Sequence, residues 1–269
     1  MAYDEVLGRA EEVNRHFRPV TMIQESVTRP AGPQSSTVHS LLRHLRDQGM
    51  DCVPEPLSLD GDTEMLRYIE GDSGGDGWRH QHDEAGLRSA ARLLRRIHDA
   101  SRSWQPPGEA VFDAPPVEGS TDSDDTVYCH GDPGPWNFVW HKGEAVALID
   151  WDFLHPAPRL DDVTYALLWF APMRDDAACL DWHHFPEVPH RAERITAFLD
   201  AYGAEVLPQF DAADAVIRRR HATIEHVRAL ADKGVEPQRT WVADGSLVEE
   251  AAEIHWIDTN RGLFSPAQA

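Results

Sequence analysis

Lysine is almost missing from this chain. Of its 25 lysine and arginine residues only Lys142 and Lys233 are lysine. Any role that needs a fixed cation elsewhere therefore falls to arginine, whose planar fork is not interchangeable with an ammonium. Positive charge as a whole is scarce. With 46 acidic residues the formal net charge is −21, and no basic stripe is present to meet a phosphate backbone, which excludes nucleic acid as a partner. Such acidity suits a cationic ligand, or requires Mg2+ to bring in an anionic one. Cysteine is limited to Cys52, Cys129 and Cys179, scattered without metal-type pairing. Their odd number and the lack of a signal peptide point to a reducing cytoplasm. No apolar run approaches the roughly 20 residues of a membrane helix, so no membrane partner is expected.

At 269 residues the chain is long enough for one large domain or two lobes with a buried core. Strand-like pieces at 19–24 and 64–70 flank a helix predicted over "STVHSLLRHLRDQG", with Val38, Leu41, Leu42 and Leu45 on one face, Ser36 or Thr37 as cap and Gly49 as terminator. "DSGGDG" at 72–77 reads as a flexible joint. Beyond it the pattern is mainly helical, with Leu87, Ala91, Leu94 and Ile97 on one face of a helix and further helices starting near Asp161, Glu193 and Ala212. Ser246 and Glu249 form a capping-box pattern for a last helix. Residues 104–125 are too rich in proline and acid for regular structure. Their acidic run from Ser120 to Asp125 reads as a solvated loop, or as an attractor for a cationic acceptor. The layout is a small mixed lobe over 1–71 and a larger helical lobe over 72–269 that carries a β-hairpin.

The chemistry concentrates in "VYCHGDPGPWNFVWHKGEAVALIDWD", residues 127–152. A hairpin with a four-residue turn from Lys142 to Ala145 would set Phe138 opposite Ile149, Val139 opposite Leu148 and Trp140 opposite Ala147. In that register Asn137 lies opposite Asp150, and directly opposed residues have Cβ atoms about 4.5–5.5 Å apart, close enough to share a cation. A slip of one residue would separate them. Asp132 precedes Asn137 across Pro133-Gly134-Pro135, a stiff loop suited to orienting a hydroxyl beside a metal site. Mg2+ favours one or two protein carboxylates plus substrate phosphate oxygens, the arrangement that phosphoryl transfer needs. Trp136 and Trp140 read as core residues beneath the hairpin rather than as a stacking surface.

His130-Gly131-Asp132, Asn137 and Ile149-Asp150-Trp151-Asp152 resemble the catalytic and metal-binding segments of the aminoglycoside phosphotransferase family, relatives of choline and homoserine kinases. The resemblance implies an α+β, two-lobed protein-kinase-like fold: a small N-terminal nucleotide-binding lobe with an antiparallel sheet, and a helical C-terminal lobe with the catalytic loop and acceptor site. It implies transfer of the γ-phosphate of ATP, or of GTP, to a hydroxyl of a small molecule such as an aminoglycoside-like or other hydroxylated amine. Asp132 would be the catalytic base and His130 its brace. Asn137 and Asp150 would hold Mg2+, with Asp152 either a further ligand or a cap. Asp162 would match the family's structural aspartate, or merely cap the helix after it. "LRYIEG" at 66–71 resembles the strand and hinge that hold adenine, which assigns Leu66, Tyr68, Ile69 and Glu70 to the nucleotide.

Three departures from the family pattern stand out. No glycine-rich loop precedes residue 36, no lysine precedes Lys142, and the first helix has Val38 and His39 where an orienting glutamate is expected. Arg29 is the natural substitute for the lysine, as a phosphate contact; its bland reading is an ordinary surface charge. These departures motivate a second function class, a pseudoenzyme acting as a binding module. A third, a metal-dependent phosphohydrolase, would use His130, Asp132, Asp150, Asp152 and His155.

Overall fold

The computed structural model describes residues 21–23, 25–112, 126–203, 210–236 and 238–265. The "LGRAEEVNRHF" stretch and the acidic run from Ser120 to Asp125 lie outside these residues. The chain divides into two compact units, Met1–Asp162 and Val163–Ala269.

The first unit opens with a four-stranded antiparallel sheet in the order β1-β2-β4-β3, formed by β1 (Thr21–Ile23), β2 (Ser26–Pro30), β3 (Pro56–Asp60) and β4 (Thr63–Arg67). Between β2 and β3 runs helix α1 (Ser35–Asp47). Its apolar stripe behaves as the periodicity requires: Val38, Leu41, Leu42 and Leu45 are at most 2% exposed. The expected cap differs. The N-cap is Gln34, and Ser35 Oγ accepts from the Gly32 amide instead. Gly49, at φ 78, turns the chain out of the helix.

Residues 72–77, expected as a flexible joint, enter a 3-10 helix over Gly74–Gln81 that is tied to the hairpin. The Asp72 and Trp140 backbones exchange hydrogen bonds of 2.9 and 2.8 Å, and the Gly74 amide donates to Pro-loop neighbour Trp136 at 2.8 Å. Gly71, at φ 149, is required there, because a Cβ would sit 2.5 Å from the Trp140 carbonyl oxygen. Helix α2 (Glu84–Ser101) then buries Leu87, Ala91, Leu94 and Ile97, and its Ser89 hydroxyl accepts from the Ala145 amide of the hairpin at 2.8 Å.

Strand β5 (Thr126–Cys129) pairs with β8 (His155–Pro158), and β6 (Phe138–His141) with β7 (Glu144–Leu148). The hairpin register departs from expectation. A two-residue turn of Lys142 (φ 52) and Gly143 (φ 83) closes it, the doubly positive geometry that matches strand twist. Val146 is then the extra residue of a bulge, so Val139 faces Ala147 and Phe138 faces Leu148. Asn137 is consequently not opposite Asp150: its carbonyl accepts from the Ile149 amide at 2.8 Å. Lysine is poorly suited to a left-handed turn position, where asparagine is at ease. Lys142→Asn is therefore expected to raise stability by about 0.5–1 kcal/mol, read as a higher urea midpoint at unchanged slope.

The second unit consists mainly of helices: α3 begins at Leu160 and ends at Phe170, followed by α4 (Asp176–Asp181), α5 (Arg191–Tyr202), α6 (Ala212–Asp232), α7 (Gln238–Asp244) and α8 (Ser246–Thr259). Gly203, at φ 106, caps α5 as expected. The capping box does not form: Gly245 is the N-cap of α8, and the Ser246 hydroxyl donates to Asp244. An unforeseen feature is Arg174, whose guanidinium lies 4.6 Å from the Trp169 ring centre and 4.3 Å from that of Trp182 and pairs with Glu253. Burial pushes its pKa down to about 10 despite the Glu253 charge. Among the described residues no helix is long and apolar enough to cross a membrane. Cys52, Cys129 and Cys179 are buried thiols that form no disulfide.

Candidate active site

The loop between β5 and β6 is held from behind by Asp162. Its carboxylate accepts from the His130 amide at 2.7 Å, the Gly131 amide at 2.8 Å and the His98 ring at 3.0 Å, with no exposure to solvent. Burial alone would raise the Asp162 pKa. The His98 hydrogen bond, with the electrostatic influence of His98 and His130, outweighs it and holds the carboxyl below its ordinary value. Asp162 is thus a lock for the loop rather than a helix cap. His98, Cys129 and Asp162 lie close enough to suggest a metal cluster, but the carboxylate is already committed to three donors. Gly131 (φ 87) passes so close to Phe153 that a Cβ would meet its carbonyl oxygen at 2.5 Å.

His130 is buried, and its ring is spanned between two backbone groups. The Asp132 amide donates to Nδ1 at 3.2 Å, which requires the proton on Nε2, and Nε2 donates to the Ile149 carbonyl at 2.8 Å. It braces the loop against the segment that carries Asp150. Asp132 Oδ2 accepts from Asn137 Nδ2 at 2.8 Å and from Trp136 Nε1 at 3.3 Å. The Asn137 amide group also donates to the Asp132 carbonyl at 2.8 Å, leaving its oxygen to face elsewhere. The two tryptophans read as core residues part company: Trp140 is 1% exposed, whereas Trp136 is half-buried beside Asp132.

Asp150 is half exposed and sits in the left-handed region at φ 65, just past the hairpin. This strained turn, rather than cross-strand pairing, sets the direction of its carboxylate. Asp152 lies two residues on. Both bind Arg29: NH1 meets Asp150 Oδ1 at 2.7 Å and NH2 meets Asp152 Oδ1 at 2.7 Å. Arg29 Nε meets Glu64 Oε1 at 2.8 Å, and Glu64 Oε2 meets His39 Nε2 at 3.0 Å. Arg29 is 10% exposed and is no ordinary surface charge. Burial lowers its pKa, but Asp150, Asp152 and Glu64 together raise it above normal. Burial likewise raises Glu64, and the His39 hydrogen bond with the Arg29 charge brings it below the ordinary carboxylate value.

Glu64 was not singled out from sequence. Its position directly across from Arg29 in the β2–β4 pairing is the signal that could have found it. Of the residues assigned to the adenine hinge, Leu66 lies in β4 with its side chain buried, and Tyr68, Ile69 and Glu70 follow in the connecting segment, where the Tyr68 amide donates to the Glu25 carbonyl at 2.8 Å. His155 has both ring nitrogens engaged, Nδ1 with the Phe153 carbonyl at 2.8 Å and Nε2 with Asp161 at 3.2 Å.

The structure thus gathers Asp132, Asn137, Asp150, Asp152 and Arg29 within one unit. Carboxamide and carboxylate oxygens are hard donors of the kind that Mg2+ takes. A trifolitoxin immunity protein from Rhizobium leguminosarum bv. trifolii is 34% identical over 185 residues, spanning 66% of this chain and 67% of that protein. The choline kinase LicA from Streptococcus pneumoniae superposes with a TM-score of 0.56 at 14% identity, covering 90% of this chain and 89% of the kinase. A spectinomycin phosphotransferase in complex with ADP and spectinomycin gives 0.54 at 14% identity, covering 91% and 89%. Both have the α+β kinase-like fold expected here. Residues 108–203, which contain the loop, the hairpin and Asp162, match the phosphotransferase enzyme family, and to that family this chain belongs.

Proposed function

We propose that this protein transfers the γ-phosphate of ATP, or of GTP, to a hydroxyl of a small hydroxylated acceptor that carries positive charge, in the cytoplasm. The observation that carries the reading is a pair of hydrogen-bonded groups, Asp132 with Asn137 at 2.8 Å and Arg29 with Asp150 and Asp152 at 2.7 Å, tied through Ile149, whose amide donates to the Asn137 carbonyl and whose carbonyl accepts from His130. Residues 1–71 act as the nucleotide-binding lobe, with Leu66, Tyr68, Ile69 and Glu70 along the adenine, and 72–269 as the lobe that serves the acceptor. The sheet ending at Arg67 supports that division.

In this mechanism Asp132 accepts the proton of the attacking hydroxyl. Trp136 and Asn137 hold its Oδ2 in place, so the base is oriented before substrate arrives. Asn137, Asp150 and Asp152 are the residues that would hold Mg2+, which supplies charge neutralisation at the phosphates. Arg29 contributes the second cation. Its NH1 and NH2 exchange the oxygens of Asp150 and Asp152 for phosphate oxygens, two of which can meet its fork side by side. The net charge of −21 favours a cationic acceptor over an anionic one.

One observation favours a second reading. Arg29 already neutralises Asp150 and Asp152, as it would in a binding module that takes no nucleotide. The phosphohydrolase reading has less support, since the ring nitrogens of His130 and His155 are committed to protein partners. Thermal unfolding with and without Mg2+ and ATP separates the first two. Binding to the native state stabilises it by about 2.7 kcal/mol at a hundredfold excess over Kd; an unmoved Tm at millimolar ATP with Mg2+ favours the binding module. Given binding, Arg29→Ala is expected to weaken it by about ten- to a hundredfold in titration calorimetry, the loss of a charge-assisted contact of roughly 1.5–3 kcal/mol. Parental affinity in that variant would make Arg29 a bystander.

A further inference from the structure

Among the described residues, two acidic side chains are taken fully out of water, Asp162 and Glu64. Asp162 has the loop amides to explain it. Glu64 meets Arg29 and His39, and removing a carboxylate from water is costly enough that an apolar residue at such a position is often as stable or more so. Its geometry supplies a reason. Oε1 takes the Arg29 Nε proton at 2.8 Å, at the inner edge of the guanidinium. With Nε occupied, the outer edge formed by NH1 and NH2 is what faces Asp150 and Asp152. Oε2 is gripped by His39 Nε2 at 3.0 Å, and His39 is buried in α1. A carboxylate has no proton to give, so Nε2 is the donor; among the described residues Nδ1 has no hydrogen-bond partner. The histidine's hydrogen bond there goes to Glu64. β2, β4 and α1 are joined through this one carboxylate.

We infer that Glu64 and His39 are positioning residues for nucleotide binding: they fix the stem and rotation of Arg29, so that its outer edge trades carboxylate oxygens for phosphate oxygens without the side chain having to reorganise. This inference rests on the nucleotide-binding reading given above. An arginine has a long side chain with several torsions to order, and ordering them beforehand is what raises affinity for a phosphate. The cation is set by its cross-strand neighbour and secured to the helix by a histidine.

The test is a double-mutant cycle on binding of ATP with Mg2+, by titration calorimetry, over the parent, Arg29→Ala, Glu64→Gln and the double variant. Glu64→Gln alone is expected to weaken binding roughly tenfold. If Glu64 acts through Arg29, the double variant binds no more weakly than Arg29→Ala alone. Losses that add would overturn the inference, because a merely structural effect of Glu64 persists when Arg29 is gone. His39 provides an independent arm should Glu64→Gln fail to fold. His39→Gln keeps a donor for Glu64 and is expected to retain parental affinity, whereas His39→Leu loses about as much as Glu64→Gln. Equal affinities for the two His39 variants would overturn it. If the parent binds ATP and Glu64→Gln binds equally well, the positioning role falls and the nucleotide reading stands. If the parent itself shows no binding, both fall.

Discussion

Asp150→Asn is expected to lower Mg2+-dependent formation of ADP by about a hundredfold or more, the scale on which a lost electrostatic contact at developing charge acts. The physical case is that Asp150 is half exposed, holds a left-handed backbone and pairs with Arg29; its carboxylate contributes charge. Asparagine is the informative replacement because it tolerates the left-handed φ of 65. Alanine would add a backbone cost of about 1–2 kcal/mol and confuse two effects. With asparagine the melting curve should stay within about 1 kcal/mol of the parent. A coupled assay of ADP release reads the turnover, and parental rates in the variant would remove Asp150 from the metal set.

The largest effect on stability is expected at Asp162. Asp162→Ala leaves the His130 and Gly131 amides and the His98 ring without their shared acceptor in a site with no solvent access. Breaking a buried, hydrogen-bonded charge in this way costs about 3–5 kcal/mol, which lowers Tm by roughly 6–20 °C for a chain of this size. The effect depends on pH with a definite sign. The folded-state pKa of Asp162 is below its ordinary value, so its contribution is complete above about pH 4, the unfolded carboxylate value. It is lost as pH falls through the lower folded value. The gap between parent and variant should therefore be widest near pH 7 and close toward pH 3 in urea titrations. A gap unchanged between those pH values would mean that packing, not the ionised carboxylate, is what Asp162 provides.

Much of this architecture could be read in the chain. The stripe of Val38, Leu41, Leu42 and Leu45 and the terminating Gly49 located α1 because helical periodicity is a local property. The spacing of His130, Asp132 and Asn137, with Asp150 and Asp152 beyond the hairpin, marked the candidate site because proline and glycine hold the loop geometry over a short range. Arg29 emerged as the substitute for the strand lysine that the family resemblance implies and that this chain lacks. The errors share a cause. Lys142 and Gly143 form a tighter turn than expected, and the Val146 bulge shifts the pairing; both outcomes depend on strand twist and packing, for which apolar residues on both faces leave no alternating signal. The 72–77 segment looked like a free joint because glycine marks backbone freedom without saying what passes near it, here Trp140.

What the sequence by itself determined is the inventory: an acidic chain poor in lysine, with a stiff loop of oxygen donors ahead of a hairpin and helices enough for a second unit. These follow from composition and from spacings of a few residues, where chain geometry leaves little choice. Only the tertiary structure decided which groups meet. Asp162 reaches His98 across 64 residues of sequence, Arg29 reaches Asp150 across 121, and Glu64 meets His39 across 25. No local rule links such positions, because their encounter depends on how strands and helices stack around apolar side chains. The hydrogen-bond chain from His39 through Glu64 and Arg29 to Asp150 and Asp152 is a product of that stacking: it arises where β2, β4 and α1 converge, a place that burial of the core creates and that no segment of the chain encodes alone.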